Sequence, residues 1–187
     1  MTKPSMEEYF SGINEVLSKV SKNSVDKALT ALSQVINANK TIWIAGNGGS
    51  AATACHFATD LSRCNSVTGS PVRGVSLCDN SSLITAIGND FGFDSVFSKQ
   101  LSNLAVKGDL LVTISASGNS KNLLSAMNWA GANGVNNLAL TGFDGGLARS
   151  IADFSLHVPT KSGEYALAED AHSILCHFLS SQFRTIR

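Results

Sequence analysis

The chain has 187 residues, 43% of them hydrophobic, which suits one buried core and leaves little room for two independent domains. Its 14 basic residues cancel 14 acidic ones, and only 15% of the chain is charged, against roughly 25% in typical soluble domains. That excludes a nucleic-acid or acidic-membrane binder acting through net charge, which needs a basic excess to displace counterions.

The first ten residues carry Lys3, Glu7 and Glu8 and lack the apolar run of a secretory leader. No stretch approaches the roughly 18 apolar residues of a membrane span, so a cytoplasmic location is expected. Cys55, Cys64, Cys78 and Cys176 form no Cys-x-x-Cys pair and are expected to be reduced and mostly buried. Apolar residues recur at three- and four-residue intervals over Met6–Val20 and Val25–Ala38, which predicts two leading helices, the second started by Ser24 and Asp26. Five short apolar or β-branched runs follow at Thr41–Ala45, Val72–Leu77, Leu110–Ile114, Asn137–Thr141 and Phe154–Val158. They alternate with helical stretches, the pattern of a parallel sheet wrapped by helices through right-handed crossovers. A last helix is expected over Tyr165–Phe183. With three prolines and no low-complexity linker, residues 1–187 are expected to be a single domain, a helical pair (1–40) leading into an α/β core (41–187).

In open parallel sheets ligands bind beyond the carboxyl ends of the strands, so the loops there matter most. The first strand runs into Gly46-Asn47-Gly48-Gly49-Ser50-Ala51, with helix expected from Ala52 to Leu61. As Gly-x-Gly-x-x-Ala this string fits a dinucleotide fingerprint. The ribose-binding acid should then follow about 20 residues later, yet the nearest strand-end acid, Asp79, lies about 30 residues on. A ligand-free tight turn is one alternative; the favoured reading is that the backbone approaches a small oxygen-rich ligand while Ser50 caps the helix and offers its hydroxyl.

The third strand runs into Ser115-Ala116-Ser117-Gly118-Asn119-Ser120 ahead of a helix from Lys121 to Ala130. Unpaired N–H groups at a helix start, its partial positive charge and several short hydroxyls make a phosphate site without Arg or Lys. One of these serines is expected to serve as the N-cap; three in six residues exceed what capping requires.

His56 and Asp60 lie four apart on one helix face. Glu169, Asp170, His172 and His177 lie on the last helix, where Glu169 and His172 form the simplest pair and Glu169 and His177 stand about 12 Å apart along the axis. Such a set split over two helices suits a mixed N/O zinc site. His157 and His172 read as structural histidines.

The string at 46–51 with His56-Phe57-Ala58, the segment Thr85-Ala86-Ile87-Gly88-Asn89-Asp90-Phe91-Gly92-Phe93, the loop at 115–120, and Leu140-Thr141-Gly142 before Asp144-Gly145-Gly146 occur in that order. Together they resemble the phosphoheptose (sedoheptulose 7-phosphate) isomerases of the sugar isomerase (SIS) domain superfamily. The resemblance implies a flavodoxin-like three-layer α/β sandwich with a five-stranded parallel sheet, assembled as a homotetramer with active sites at subunit interfaces. It implies an aldose-ketose isomerase that converts sedoheptulose 7-phosphate to D-glycero-D-manno-heptose 7-phosphate through an enediol, the first step toward nucleotide-activated heptose for cell-surface polysaccharide. By position, Asn47, Gly48 and Gly49 would line the sugar site, Ser50, Ser115, Ala116, Ser117 and Ser120 the phosphate, and Asn89 and Asp90 would contact sugar hydroxyls. His56, Asp60, Glu169 and His177 fall on the family's zinc and acid/base positions, with Asp60 and His177 as the catalytic pair and Glu169 also near substrate. The family usually has Glu at position 60, Gln at 169, Arg at 167 and a hydroxyl residue at 116, where this chain has Asp60, Glu169, Leu167 and Ala116. Two other readings stay open: a non-catalytic SIS scaffold that binds the replication initiator, and an isomerase of another ketose phosphate.

Overall fold

In the computed structural model, which describes residues 4–64, 69 and 71–184, the chain opens with α1 (Met6–Ser18) and α2 (Lys22–Asn37). Ser5 and Glu8 close a capping box at the start of α1. Helix α2 begins three residues ahead of the expected Val25, because Ser21 takes the N-cap position and its hydroxyl accepts the Ser24 N–H at 3.3 Å.

The sheet consists of β1 (Thr41–Gly46), β2 (Arg73–Ser76), β3 (Leu110–Ser115), β4 (Asn136–Thr141) and β5 (Phe154–His157), all parallel, in the order β2-β1-β3-β4-β5. Helices α3 (Gly49–Ser62), α4 (Ser81–Phe91), α5 (Ser98–Leu104), α6 (Lys121–Ala132), α7 (Gly146–Ile151) and α8 (Tyr165–Ser181) complete the three layers. One sheet face buries Ile42, Ile44, Val112 and Leu140 against Leu32, Phe57, Leu61 and Leu179 of α2, α3 and α8. The other buries Trp43, Leu111 and Ala139 against Leu101, Leu123 and Met127 of α5 and α6. Every residue of β3 is buried, which is why this strand reads as a continuous apolar run rather than an alternation. The expected five-stranded parallel α/β sandwich behind two helices is the fold observed. All four cysteines are free; Cys64 and Cys176 are buried and Cys55 and Cys78 half-buried.

Strand order reverses between the neighbours β1 and β3, and the crevice beyond their carboxyl ends is where open α/β sheets place ligands. The two unusual loops, 46–50 and 115–120, leave the sheet at that point.

His172 sits on α8, fully buried, with neither ring nitrogen hydrogen bonded among the described residues. The nearby Thr141 backbone slightly favours the charged ring, but without hydrogen-bond geometry it does not offset burial, which pushes the imidazole down to about 4. In the unfolded chain the same group titrates near 6.5. Above that pH both states hold it neutral; as pH falls toward 4 the unfolded chain takes the proton first, so His172 progressively destabilises the fold, by on the order of 3 kcal/mol at the acid end. Urea unfolding between pH 7 and 4.5 should therefore show a steeper stability loss in the wild type than in His172→Met. Parallel curves would exclude this titration.

Candidate active site

The serine-lined end is built by the loops after β1 and β3. Gly48 has φ +54° and ψ −123°, a conformation that favours glycine, and this lets α3 start immediately at Gly49. Ser50 is therefore not the cap: Gly48 holds that position, with no side-chain bond, and Ser50 is buried within the first turn, lining a pocket of about 170 Å³. Asn47, Ser115, Ala116, Ser117, Ser120, Tyr165 and Glu169 share this pocket.

Ser120 holds the N-cap position of α6 but its hydroxyl makes no capping bond. The Ser115 hydroxyl accepts the Gly118 N–H at 3.0 Å and Ser117 accepts the Asn119 N–H at 3.3 Å, which curls the loop around the pocket. Asn119 turns away, its side-chain oxygen accepting the Leu147 N–H at the start of α7. The two loops are joined by a reciprocal amide pair: Asn47 and Asn122 each donate to the other at 2.9 Å. Asn122 is 2% exposed and Asn47 half-buried, so this reciprocal pair is a part-buried clamp between the two loops.

A cluster of histidine and carboxylate groups lies farther along α3 and α8. Nε2 of His56 and Nε2 of His177 are 3.4 Å apart, their rings meet edge to face, and the Asp60 Oδ2 stands 3.8 and 3.7 Å from them. Asp60 is buried, while both imidazoles are about half exposed. Its Oδ1 accepts a hydrogen bond from Arg184 at 2.8 Å, and Ser180 Oγ reaches Oδ2 at 3.5 Å. Among the described residues, His56, Asp60 and His177 are the group whose ligand atoms converge, within 4.8 Å of one another. Two imidazoles and one carboxylate are a donor set that fits zinc with a position left over.

Glu169 is not one of the converging three. Residues 169, 173 and 177 share a face of α8, and Ser173 lines the cleft with His56, Asp60 and His177. Glu169 sits two turns earlier, beside Gly49, where a Cβ would collide with its carboxylate. A carboxylate there is favoured by the positive end of α3. Asn89 and Asp90 lie on the exposed end of α4, bonded to each other at 2.9 Å, and do not line the pocket. Asn122, Tyr165, Ser180 and Arg184 are site neighbours that sequence reasoning missed. A polar residue in the first turn after the Ser-rich loop was the available signal for Asn122; Arg184 had none, lying 124 positions from its partner.

The SIS domain family matches residues 8–142. The chain is 42% identical over 154 residues to phosphoheptose isomerase of Campylobacter concisus, covering 82% of this chain and 80% of that one. The chain belongs to the phosphoheptose isomerase family of SIS-domain proteins. A further family member, from Aliarcobacter butzleri, is 40% identical and covers 88% of this chain and 82% of its own. The structure of the phosphoheptose isomerase from Neisseria gonorrhoeae superposes with a TM-score of 0.83 at 34% identity, over 95% of this chain and 93% of that one. The family model spans both loops and α3 and ends before α8, which begins at Tyr165.

Proposed function

We propose that this protein interconverts sedoheptulose 7-phosphate and D-glycero-D-manno-heptose 7-phosphate, supplying a phosphorylated heptose for cell-surface polysaccharide. The supporting observation is the separation of two unlike sites along the paired helices α3 and α8. Glu169 in the serine-lined pocket and His177 in the acid/base cluster stand eight residues apart on α8, about 12 Å of helix rise. An extended seven-carbon sugar phosphate spans about 10 Å from C1 to phosphorus, so its phosphate rests among Ser50, Ser115, Ser117 and Ser120 while C1 and C2 reach Asp60 and His177.

Isomerisation of the ketose removes a proton from C1, passes through an enediol and returns a proton to C2, while a second proton moves from the C1 to the C2 oxygen. Asp60 and His177 serve these transfers as a pair. The buried Asp60 presents Oδ2 to the cleft, and the half-exposed His177 exchanges its proton with solvent. His56, Asp60 and His177 would hold one zinc ion per chain, which when bound polarises the carbonyl and steadies the enediolate. Asn47, through its Asn122 clamp, and the Gly48–Gly49 backbone would face the sugar hydroxyls.

We further propose a homotetramer. Asn89 and Asp90 lie outside this chain's own pocket, and Phe91 and Phe93 beside them are 58% and 60% exposed. A second chain packed over this corner would cover the aromatic rings and bring the two polar side chains to a neighbouring site. No helix among the described residues is long and apolar enough to cross a membrane.

A panel of ketose phosphates followed by NMR, with and without a chelator, tests the reading. Heptulose phosphate should turn over fastest and hexulose phosphate more slowly, while pentulose and triose phosphates, too short to fill both ends, should fall at least 100-fold in kcat/KM. Equal rates across the panel would remove the length argument, and no turnover of any would favour a scaffold role.

A further inference from the structure

The buried Asp60 carboxylate, 7% exposed, makes one hydrogen bond of good length among the described residues, and Arg184 donates it. Ser180 Oγ lies at 3.5 Å, the limit of a hydrogen bond, and also donates to the His177 carbonyl at 3.1 Å. The two histidines stand too far off to hold the carboxylate. Arg184 itself is placed by its neighbours. Beyond α8 the chain turns once more, with Phe183 N–H on the Ser180 carbonyl and Arg184 N–H on that of Ser181. Phe183 packs against the core cluster that includes Cys64, whose thiol reaches the carbonyls of Asp60 and Ser180 and so ties the end of α3 to the end of α8.

We propose that Arg184 is a positioning residue: it ties off Oδ1 of Asp60, so that Oδ2 alone faces His56 and His177. The role rests on the reading of Asp60 and His177 as the reacting pair. The Asp χ2 torsion is broad, so a carboxylate without this anchor samples orientations in which either oxygen, or neither, meets the histidines. The short Asp side chain cannot make up a misalignment by reach. Arg184 is half exposed, and ion pairs of that kind add little to stability, so the contact is better explained by orientation than by holding the fold.

Arg184→Met should lower kcat for sedoheptulose 7-phosphate 10- to 100-fold, the usual penalty for a misplaced reacting group. KM should stay within about twofold, because the serine-lined pocket is untouched. Zinc titrated into the chelator-treated protein should bind about tenfold more weakly in the variant, on the scale of lost outer-shell partners. Arg184→Lys, which keeps the charge but not the planar fork, should fall between wild type and Met. A kcat and a zinc Kd both within twofold of wild type in Arg184→Met would overturn the proposal, as would a loss confined to KM. If wild type isomerises no ketose phosphate, the isomerase reading fails on its own, and the zinc titration still decides the role of Arg184: weaker binding supports it and equal binding overturns it.

Discussion

Asp60→Asn should lower turnover of sedoheptulose 7-phosphate by two to four orders of magnitude while leaving the fold intact. The substitution keeps the shape of a side chain that is 7% exposed and removes its capacity to take or give a proton at the cleft. It also turns one oxygen into an amide, so either Arg184 loses its acceptor or the histidines face a donor. His177→Ala should cost a similar factor, and the double variant should be scarcely worse than either alone, because groups that act as one unit are not additive. Steady-state kinetics with circular dichroism on each variant measures this. Turnover within threefold of wild type in Asp60→Asn would remove the acid/base assignment.

Gly49→Ala is expected to reduce kcat/KM about 10- to 100-fold with little loss of thermal stability. The added methyl group would meet the Glu169 carboxylate, the far end of a flexible side chain that can swing aside, so the fold survives and the pocket wall moves. A displacement of about 1 Å next to bound substrate is enough for such a loss. The mechanism has a coupling test. In a Glu169→Ala background the collision is gone, so adding Gly49→Ala should change kcat/KM by less than threefold. Full additivity of the two substitutions would mean that the methyl group acts elsewhere, for example on the approach of the backbone to the sugar.

Much of this architecture could be read from the chain. The central strands are buried on both faces, so they stand out as apolar runs, and the loops at 46–51 and 115–120 stand out because Gly and Ser cluster where strands end. Position along a helix also placed His56 next to Asp60. What was hidden depends on backbone detail or on long-range contact. Helix α3 begins at Gly49 rather than Ala52 because Gly48 adopts a positive φ, and that displaced Ser50 from its expected cap. The bounds of α4 and α5 are not legible in the sequence: α5 has only seven residues, and Phe91 and Leu104, which end the two helices, are exposed although their type suggests core. Glu169 shares a helix face with His177 yet lines a different pocket, a distinction that periodicity cannot make. The Asn47–Asn122 and Asp60–Arg184 contacts join residues 75 and 124 positions apart, where spacing carries no information.

Conversion of sedoheptulose 7-phosphate in D2O, followed by proton NMR, tests the central claim most directly. An enediol formed at Asp60 and His177, with a half-exposed imidazole exchanging its proton, predicts D-glycero-D-manno-heptose 7-phosphate carrying deuterium at C2, formed about 100-fold or more slowly by Asp60→Asn. Unchanged ketose with the wild-type protein, or an aldose without deuterium at C2, would contradict it.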